Sequence, residues 1–504
     1  MSIIHVSPID QAHLRVTCED RGVLQEISEF FSFFAAGYKF SPAFRNHHWD
    51  GKIRLFNLRN QTLPSGLLKR LQEFAQSQKH QLDLASGLAD SKLSESDPGA
   101  PATIYSTTGA DGKEIEIRDY QLDAIKYAFE NEKVLLVSPT GSGKSLIIYQ
   151  LLRWYLQKRK DGGKAILIVP TTSLVEQAYQ DFADYSSKDK TFDAQKMLHR
   201  IYSGQEKETD APVIITTWQS AINMGPKWFE QFGAVFGDEA HLFKAASLTK
   251  IMSWLKNAWF RIGTTGTLPG GDDAKVNKLV LEGCFGPVYQ VTTTSELIDA
   301  DVLAQLKIYM LVLKYPELER KQHGNLEYQE ELDFLTAYDP RNRFITNLVA
   351  DLKGNSLILY QFVEKHGVPL FEAVEKKLKG TKRKVYFVSG DVSAEERENI
   401  RALVEKEEGS VIIASFGTFS TGINIKNLHN IVFASPTKSQ IRVLQSIGRG
   451  LRKTKDERPT SVYDIADDLS RKGNKNYTLT HGIERAKIYT KEKFDFEVHE
   501  VPIS

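Results

Sequence analysis

Residues 134–157 read VLLVSPTGSGKSLIIYQLLRWYLQ, and this stretch decides the fold. Val134–Val137 is a short apolar run suited to a buried strand, and Leu146–Gln157 has helical apolar spacing. Between them stands Ser138-Pro139-Thr140-Gly141-Ser142-Gly143-Lys144-Ser145. Glycines there let backbone N–H groups approach phosphate oxygens with no Cβ in the way, and the following helix turns its positive dipole end toward the same anion. Thr140, Gly141, Ser142, Gly143, Lys144 and Ser145 therefore read as a triphosphate cradle, with Lys144 on the β- and γ-phosphates and the Ser145 hydroxyl on Mg²⁺. The strict pattern asks for Gly where Ser138 stands, and a Gly- and Ser-rich turn without ligand is the plainer alternative.

Outward from this turn the same alternation repeats. Apolar runs at Ile166–Val169, Val213–Thr216, Ala234–Phe236 and Arg261–Gly263 are separated by helical spacing such as Leu174–Tyr185. A charged, helix-prone stretch begins near Asp301, and a second set of strands follows at Ser356–Tyr360, Lys384–Val388, Val411–Ala414, Ile431–Ala434 and Ser461–Ile465. Near-continuous apolar strands alternating with helices imply parallel sheets covered on both faces. The expected class is α/β, with two tandem parallel-sheet domains at 114–300 and 301–470. Residues 1–84 mix strand and helix patterns and read as a small α+β domain. Residues 85–113, rich in Ser, Gly, Ala, Pro and Asp, read as a linker, because such a composition cannot offset its ordering entropy by burial. Residues 471–504 read as a basic C-terminal extension, either a further polyanion-binding surface or a solvated helix end.

The 504 residues, at about 150 per domain, allow about three domains and exclude a single small binding module. Hydrophobic residues at 41% and charged residues at 26% exclude wholesale disorder. Lys and Arg total 65 against 64 Asp and Glu, so any basic surface must be local. Cys18 and Cys284 are the only cysteines, and neither a disulfide framework nor a zinc site is readable. The amino-terminal residues have no signal-peptide pattern and no apolar run is long enough to span a bilayer, so the expectation is a cytoplasmic protein with no membrane partner.

Two further clusters carry chemistry. Ala234–Phe236 ends in Gly237-Asp238-Glu239-Ala240-His241, and adjacent carboxylates at a strand's end repel unless a cation or a proton-transfer task compensates. Mg²⁺ supplies that: Asp238 would hold the metal through its water shell, and Glu239 would deprotonate the water that attacks the γ-phosphate. An exposed acidic turn is the alternative, and His241 is not read as a ligand. Gln445, Arg449 and Arg452 share one face of the helix-like run Ile441–Lys453. Two guanidinium groups on one face repel unless they meet an anion, so both read as arginine fingers if that helix packs across a cleft from the glycine turn. A solvated basic face is the alternative.

RDYQ (118–121), SPTGSGKS (138–145), VPTTSLVEQ (169–177), ITTWQS (215–220), GDEAH (237–241), GTTGT (263–267), FVSGDV (387–392), FSTGINIKNL (419–428) and QSIGRGLRK (445–453) stand in the order of superfamily 2 helicase motifs. The chain thus resembles the DEAH-box-type members of that superfamily over about 114–470. The resemblance implies two RecA-like domains with ATP between them and Gln121 on the adenine. It implies that Thr265 and Thr267 couple nucleotide state to movement, and that Thr171, Thr172, Thr217, Ser389, Thr421 and Gly422 line a nucleic-acid track. Ser138 departs from the pattern, as does Gln445 in place of His, which leans away from the RNA-dominated DEAD-box group.

Phe31–Leu68 is similar to the N-terminal domain of T-even phage recombination helicases. Its window 37–70 carries Lys39, Arg45, Lys52, Arg54, Arg59, Lys69 and Arg70 against Asp50 alone, interleaved with Tyr38, Phe40, Phe44, Trp49 and Phe56. Basic groups bind phosphates and aromatics stack on bases, so Lys39, Arg45, Lys52 and Arg54 are candidate DNA contacts; the aromatics can equally be the domain's core. The expected activity is ATP-dependent unwinding or branch migration of forks, Holliday junctions and R-loops in recombination, repair and replication, by a monomer acting in a bacterial host's cytoplasm. DNA is the expected partner, with RNA in hybrids; an RNA remodeller and an ATP-switched DNA clamp are the rival readings.

Overall fold

The computed structural model describes residues 2–504 apart from 36, 87, 89–103, 160, 161, 203–205, 270–273, 423, 424, 426, 438, 452–457 and 472. It divides into two compact units, Met1–Ser138 with Gly143–Val291, and Thr292–Ser504 with the turn Pro139–Ser142. Among the described residues no helix is long and apolar enough to cross a membrane.

In the first unit, a four-stranded sheet runs in the order Thr62–Pro64, His13–Cys18, Ile3–Pro8, Gln81–Leu84, with the last pair parallel. Side-chain alternation sends Ile4, Val6, Leu14 and Val16 to one face. The helices Arg21–Phe30 and Leu68–Ser77 cover that face with Val23, Leu24, Ile27, Leu71 and Phe74. Asp20 starts the first helix by accepting the Gly22 amide at 2.8 Å. A separate hairpin, Ser32–Phe34 with Lys52–Arg54, projects from this small α+β body.

The rest of the first unit is an all-parallel sheet in the order Val288–Gln290, Lys133–Val137, Phe260–Thr265, Phe232–Gly237, Lys164–Val169, Val213–Thr217, Leu198–Ile201. Its central strands are buried almost end to end, because helices cover both faces. Ile147, Leu151, Val175 and Phe182 pack one side, and Leu248, Ile251 and Phe285 the other. Parallel strands deliver all their following turns to one edge, which is where ligands bind in such sheets.

The second unit holds another all-parallel seven-stranded sheet: Val385–Val388, Val411–Ser415, Ser356–Tyr360, Asn430–Phe433, Thr460–Asp468, Leu306–Lys314, Phe496–Pro502. Two sequence expectations change here. The stretch after Asp301, expected to be helical, contains the strand Leu306–Lys314, whose Lys307 and Lys314 mask an apolar centre. Residues 471–504 are not an appendage. The helix Tyr477–Lys491 packs on Thr460–Asp468, and Phe496–Pro502 is the sheet's edge strand beside Leu306–Lys314. Arg485 is completely buried, its guanidinium 2.8 Å from Asp464 Oδ1 and donating to the Thr437 and Ile465 carbonyls, so it is not a surface cation.

The linker reading also needs correction at its end. Residues 89–103 lie outside the described residues. From Ile104 onward, however, the chain packs on the helix Lys144–Lys158: the Tyr105 amide donates to Gln150 Oε1, Gln150 Nε2 donates back to the Tyr105 carbonyl, and Thr107 and Thr108 are buried. The Gln150 side chain's bonds to the Tyr105 backbone, with Ile104 and Tyr105 packed against the apolar core, order this segment, which composition concealed.

Candidate functional site

The expected phosphate cradle lies between the strand Lys133–Val137 and the helix Lys144–Lys158. Gly141 and Gly143 have φ of +86° and +84°, a region that glycine enters without a Cβ penalty. Within the first unit a Cβ on Gly143 would come 2.3 Å from Gln121 Nε2, so a larger residue would displace the Gln121 amide. Gln121 is buried and its Oε1 accepts the Arg118 amide, which fixes the amide group beside the turn. Ser142 closes the turn by donating from Oγ to the Pro139 carbonyl at 2.7 Å; Thr140 is half-buried. Lys144 Nζ donates to the Ser138 carbonyl at 3.1 Å, and Ser145 stands in the first helical turn.

The acidic pair stands at the same edge, two strands away across the sheet. Phe232–Gly237 lies beside Phe260–Thr265, which lies beside Lys133–Val137, so the three following turns are neighbours. Thr264 Oγ1 donates to Asp238 Oδ1 at 2.9 Å. Burial and the adjacent Glu239 carboxylate push Asp238 above the ordinary carboxyl range, against the pull of Lys144 and the Thr264 hydroxyl. Glu239 has the left-handed backbone φ +49°, ψ +48°, a costly setting for a non-glycine residue. Its Oε2 is 3.2 Å from His241 Nδ1, and the same nitrogen is 3.1 Å from Thr265 Oγ1. Thr265 Oγ1 in turn donates to the Thr267 carbonyl at 3.1 Å, and the Ser138 amide donates to the Thr265 carbonyl at 2.8 Å. One polar chain thus joins the glycine turn, the acidic pair and the threonine turn. The sequence reading missed Thr264 and His241 in this chain: both fall inside quoted motifs, but their roles rest on hydrogen bonds between strands far apart in sequence.

The track candidates of the first unit collect at the same edge. Thr171 is the N-cap of the helix Thr172–Tyr185 and accepts the Leu174 amide, while Thr172 is exposed. Thr217 is buried, with its hydroxyl accepting the Ser220 amide. In the second unit Ser389 follows the strand Val385–Val388 and is buried, and Gln445 is mostly buried on the helix Gln440–Gly450. Arg449 belongs to that helix and Thr421 and Gly422 to the helix Phe416–Gly422, but their side chains lie outside the description, as does all of Arg452. A groove of about 570 Å³ in the second unit, not foreseen from sequence, is lined by Gln361, Arg397, Ser415, Thr418 and Arg442. Among the described residues neither arginine has a carboxylate partner.

In the N-terminal domain, Phe56 belongs to the core, whereas Phe34 and Phe40 are exposed. Lys39, Arg45 and Lys52 have no carboxylate partner among the described residues; Arg54 is paired with Asp50. Arg70, counted among the basic residues of this window, is committed to Glu282.

Three sequence families match. The family described as DNA helicase UvsW, N-terminal, matches residues 3–84; Type III restriction enzyme, res subunit, matches 114–270; the helicase conserved C-terminal domain matches 341–454. The ATP-dependent DNA helicase uvsW of Enterobacteria phage T4 is 36% identical over 508 residues, covering 97% of each chain. The crystal structure of T4 UvsW superimposes with a TM-score of 0.52 at 35% identity over 99% of each chain. A Type ISP restriction-modification enzyme, LlaBIII, bound to DNA, shares the fold at a TM-score of 0.57 and 16% identity, covering 84% of this chain and 33% of that one.

Proposed function

The chain belongs to the UvsW family of ATP-dependent DNA helicases, and from that premise we propose that it acts on branched DNA: forks, four-way junctions and R-loops. The RNA remodeller and the non-hydrolysing clamp are thereby set aside. The observation that supports the assignment of the hydrolytic site is the polar chain from the Ser138 amide through Thr265 and His241 to Glu239. It ties the residue assigned as general base to the turn assigned to the triphosphate, so a change at either is felt at the other.

In this reading Gln121 recognises the adenine, and the amides of Thr140–Gly143 with Lys144 bind the phosphates. Burial beside the Glu239 carboxylate raises the Asp238 pKa, and a cation shared with the nucleotide would compensate this like-charge pair. Ser145 and Asp238 would hold Mg²⁺, which when bound neutralises phosphate charge. Thr264 orients Asp238 by donating to Oδ1. Glu239 takes the proton of the attacking water, and Gln445, Arg449 and Arg452 stabilise charge developing on the γ-phosphate. Thr171, Thr172, Thr217, Ser389, Thr421 and Gly422 grip the strand's backbone, and the N-terminal domain contacts the branch through Lys39, Arg45, Lys52 and Arg54. The protein works as a monomer in the host cytoplasm, on DNA and on RNA paired within hybrids.

The test is one panel of ATPase and unwinding assays on single strand, blunt duplex, fork, four-way junction and DNA–RNA hybrid. Turnover and unwinding should be greatest on the branched substrates and absent in Lys144→Ala. Equal stimulation by unbranched duplex would overturn the substrate assignment.

A further inference from the structure

The N-terminal hairpin carries an aromatic group that the domain's core does not use. Phe40 is 76% exposed and Phe34 49% exposed, while Phe31, Phe56 and Phe74 fill the interior. Exposed rings of this size on a small domain mark an interaction site when they cluster; Phe34 belongs to such a cluster, and Phe40 stands on the same short turn as Tyr38. Phe34 stacks on Tyr38 with centroids 4.6 Å apart, and Tyr38 meets Phe44 edge-on at 4.8 Å.

The support is stiff. The Phe40 amide donates to the Gly37 carbonyl at 2.8 Å, the Ser41 amide to the Tyr38 carbonyl at 3.0 Å, and the Ala35 amide to the Gly51 carbonyl at 2.7 Å. A Cβ on Gly51 would come 2.3 Å from Tyr38 Cδ2, so that ring lies directly on bare backbone. Phe40 therefore stands on a short turn whose backbone is braced, so placing a partner on it costs little further backbone ordering.

The charges around the rings identify the partner. Lys52 Nζ lies 5.3 Å from the Phe34 centroid and Lys39 Nζ 5.9 Å from that of Tyr38, and Arg45 Nε donates to the Lys39 carbonyl. An apolar protein surface seated here would have to cover cations that lack carboxylate partners. A nucleotide offers an aromatic face and a phosphate within one repeat, which matches both features.

We infer that Phe40, on the turn that carries Tyr38 of the Phe34–Tyr38–Phe44 cluster, is a stacking platform for an unpaired base at a DNA branch, with Lys39, Arg45 and Lys52 on the flanking phosphates. This rests on the reading that the N-terminal domain contacts DNA, and adds that it distinguishes unpaired from paired strands by stacking.

The full chain is titrated with a fork carrying 2-aminopurine at the first unpaired position and with a blunt duplex of the same length. The wild type should quench the fluorophore on binding. Phe40→Ala should lose the quench and weaken fork binding by about tenfold, with duplex binding within about twofold of wild type, and Phe40→Trp should restore both. The triple variant Lys39→Ser, Arg45→Ser, Lys52→Ser should weaken binding to both DNAs and lower their salt dependence. If the triple variant weakens binding while Phe40→Ala keeps quench and fork affinity, the platform is overturned and DNA contact by the domain stands. If neither variant changes either DNA, the underlying reading falls as well. Self-association of the wild type in sedimentation velocity, abolished by Phe40→Ala without change in fork binding, would make the cluster an interface between copies and overturn the platform.

Discussion

Arg70 and Glu282 form a two-pronged ion pair, with Nε 2.8 Å from Oε2 and Nη2 2.8 Å from Oε1. The pair fastens the helix Leu68–Ser77 of the N-terminal domain to the helix Ala274–Phe285 beside the seven-stranded sheet of the same unit. Glu282 is nearly fully buried, and its hydrogen bond holds the Arg70 guanidinium above its ordinary pKa despite partial desolvation. The backbones are close as well, since a Cβ on Gly66 would fall 2.0 Å from the Glu282 carbonyl oxygen. Arg70→Ala leaves the buried Glu282 carboxylate with only Lys278, whose Nζ is 3.9 Å from Oε1, so it should destabilise the first unit by about 3 kcal/mol, the low end for broken buried pairs because Arg70 is itself partly exposed. Urea denaturation measures this. Arg70→Met with Glu282→Met should recover much of the loss, and a single-variant effect below about 0.5 kcal/mol would mean that the pair does not hold the domains.

His241 contacts both Glu239 and Thr265 through Nδ1, so it is a positioning residue for the assigned general base. Its loss should leave the phosphate-binding turn intact while Glu239 drifts from its strained backbone setting. His241→Ala should lower kcat by roughly 10²-fold, the scale of an ångström's misplacement, with the KM for ATP within about twofold. His241→Asn, which keeps a polar atom near the Nδ1 position, should recover part of kcat. A rise in KM with kcat preserved would assign His241 to nucleotide binding instead.

The legible part of this protein was its periodic part. Strands buried on both faces, such as Val134–Val137, Val213–Thr216 and Ile431–Ala434, announce themselves as apolar runs, and the glycine turn and acidic pair stand in chain order at their ends. Leu306–Lys314 was missed because lysines at its ends blur the pattern, and Phe496–Pro502 because an edge strand exposed on both faces keeps Glu and His. Within the candidate site, Lys144, Asp238 and Glu239 are residue types suited to chemistry, so spacing singled them out. Thr264 and His241 act through hydrogen bonds that exist only once the strands Phe232–Gly237 and Phe260–Thr265 are side by side. Arg70 and Arg485 show the converse, since charge counting cannot distinguish a surface cation from one committed to a buried carboxylate.

Burial makes the second unit acid-sensitive. His366 is completely buried, its Nδ1 2.9 Å from Ser435 Oγ, and desolvation, aided by the Arg341 charge, lowers its pKa from 6.5 to about 3. The unfolded chain takes up a proton there below about pH 6.5 that the folded chain refuses until about pH 3. Stability therefore falls as pH drops through that window. Between pH 7 and pH 5 the loss from this group should be about 2 kcal/mol. His366→Gln should be less stable at pH 7 yet lack this part of the slope, as followed by hydrogen exchange in the strand Ser356–Tyr360. Parallel slopes for both proteins would locate the acid sensitivity elsewhere.

The C-terminal segment invites a different expectation from the one its basic composition suggests. Arg485 is enclosed by Asp464, the Tyr489 ring system and two backbone carbonyls, and Tyr489 Oη donates to Asp464 Oδ2 at 2.7 Å. Both side chains of the ion pair are fully buried. Arg485→Ala leaves the Asp464 carboxylate without its cation, at a cost of about 3–5 kcal/mol. Removing residues 471–504 goes further, exposing the edge of Leu306–Lys314 and the apolar side chains Met310 and Val312 that pack toward the helix Tyr477–Lys491. The truncated chain should therefore lose the second unit's fold and be recovered mainly as aggregate, while Arg485→Ala should lower the denaturation midpoint with DNA affinity of the folded fraction within about twofold of wild type. A stable truncated protein with weakened DNA binding would restore the segment to the role of a basic, DNA-contacting tail.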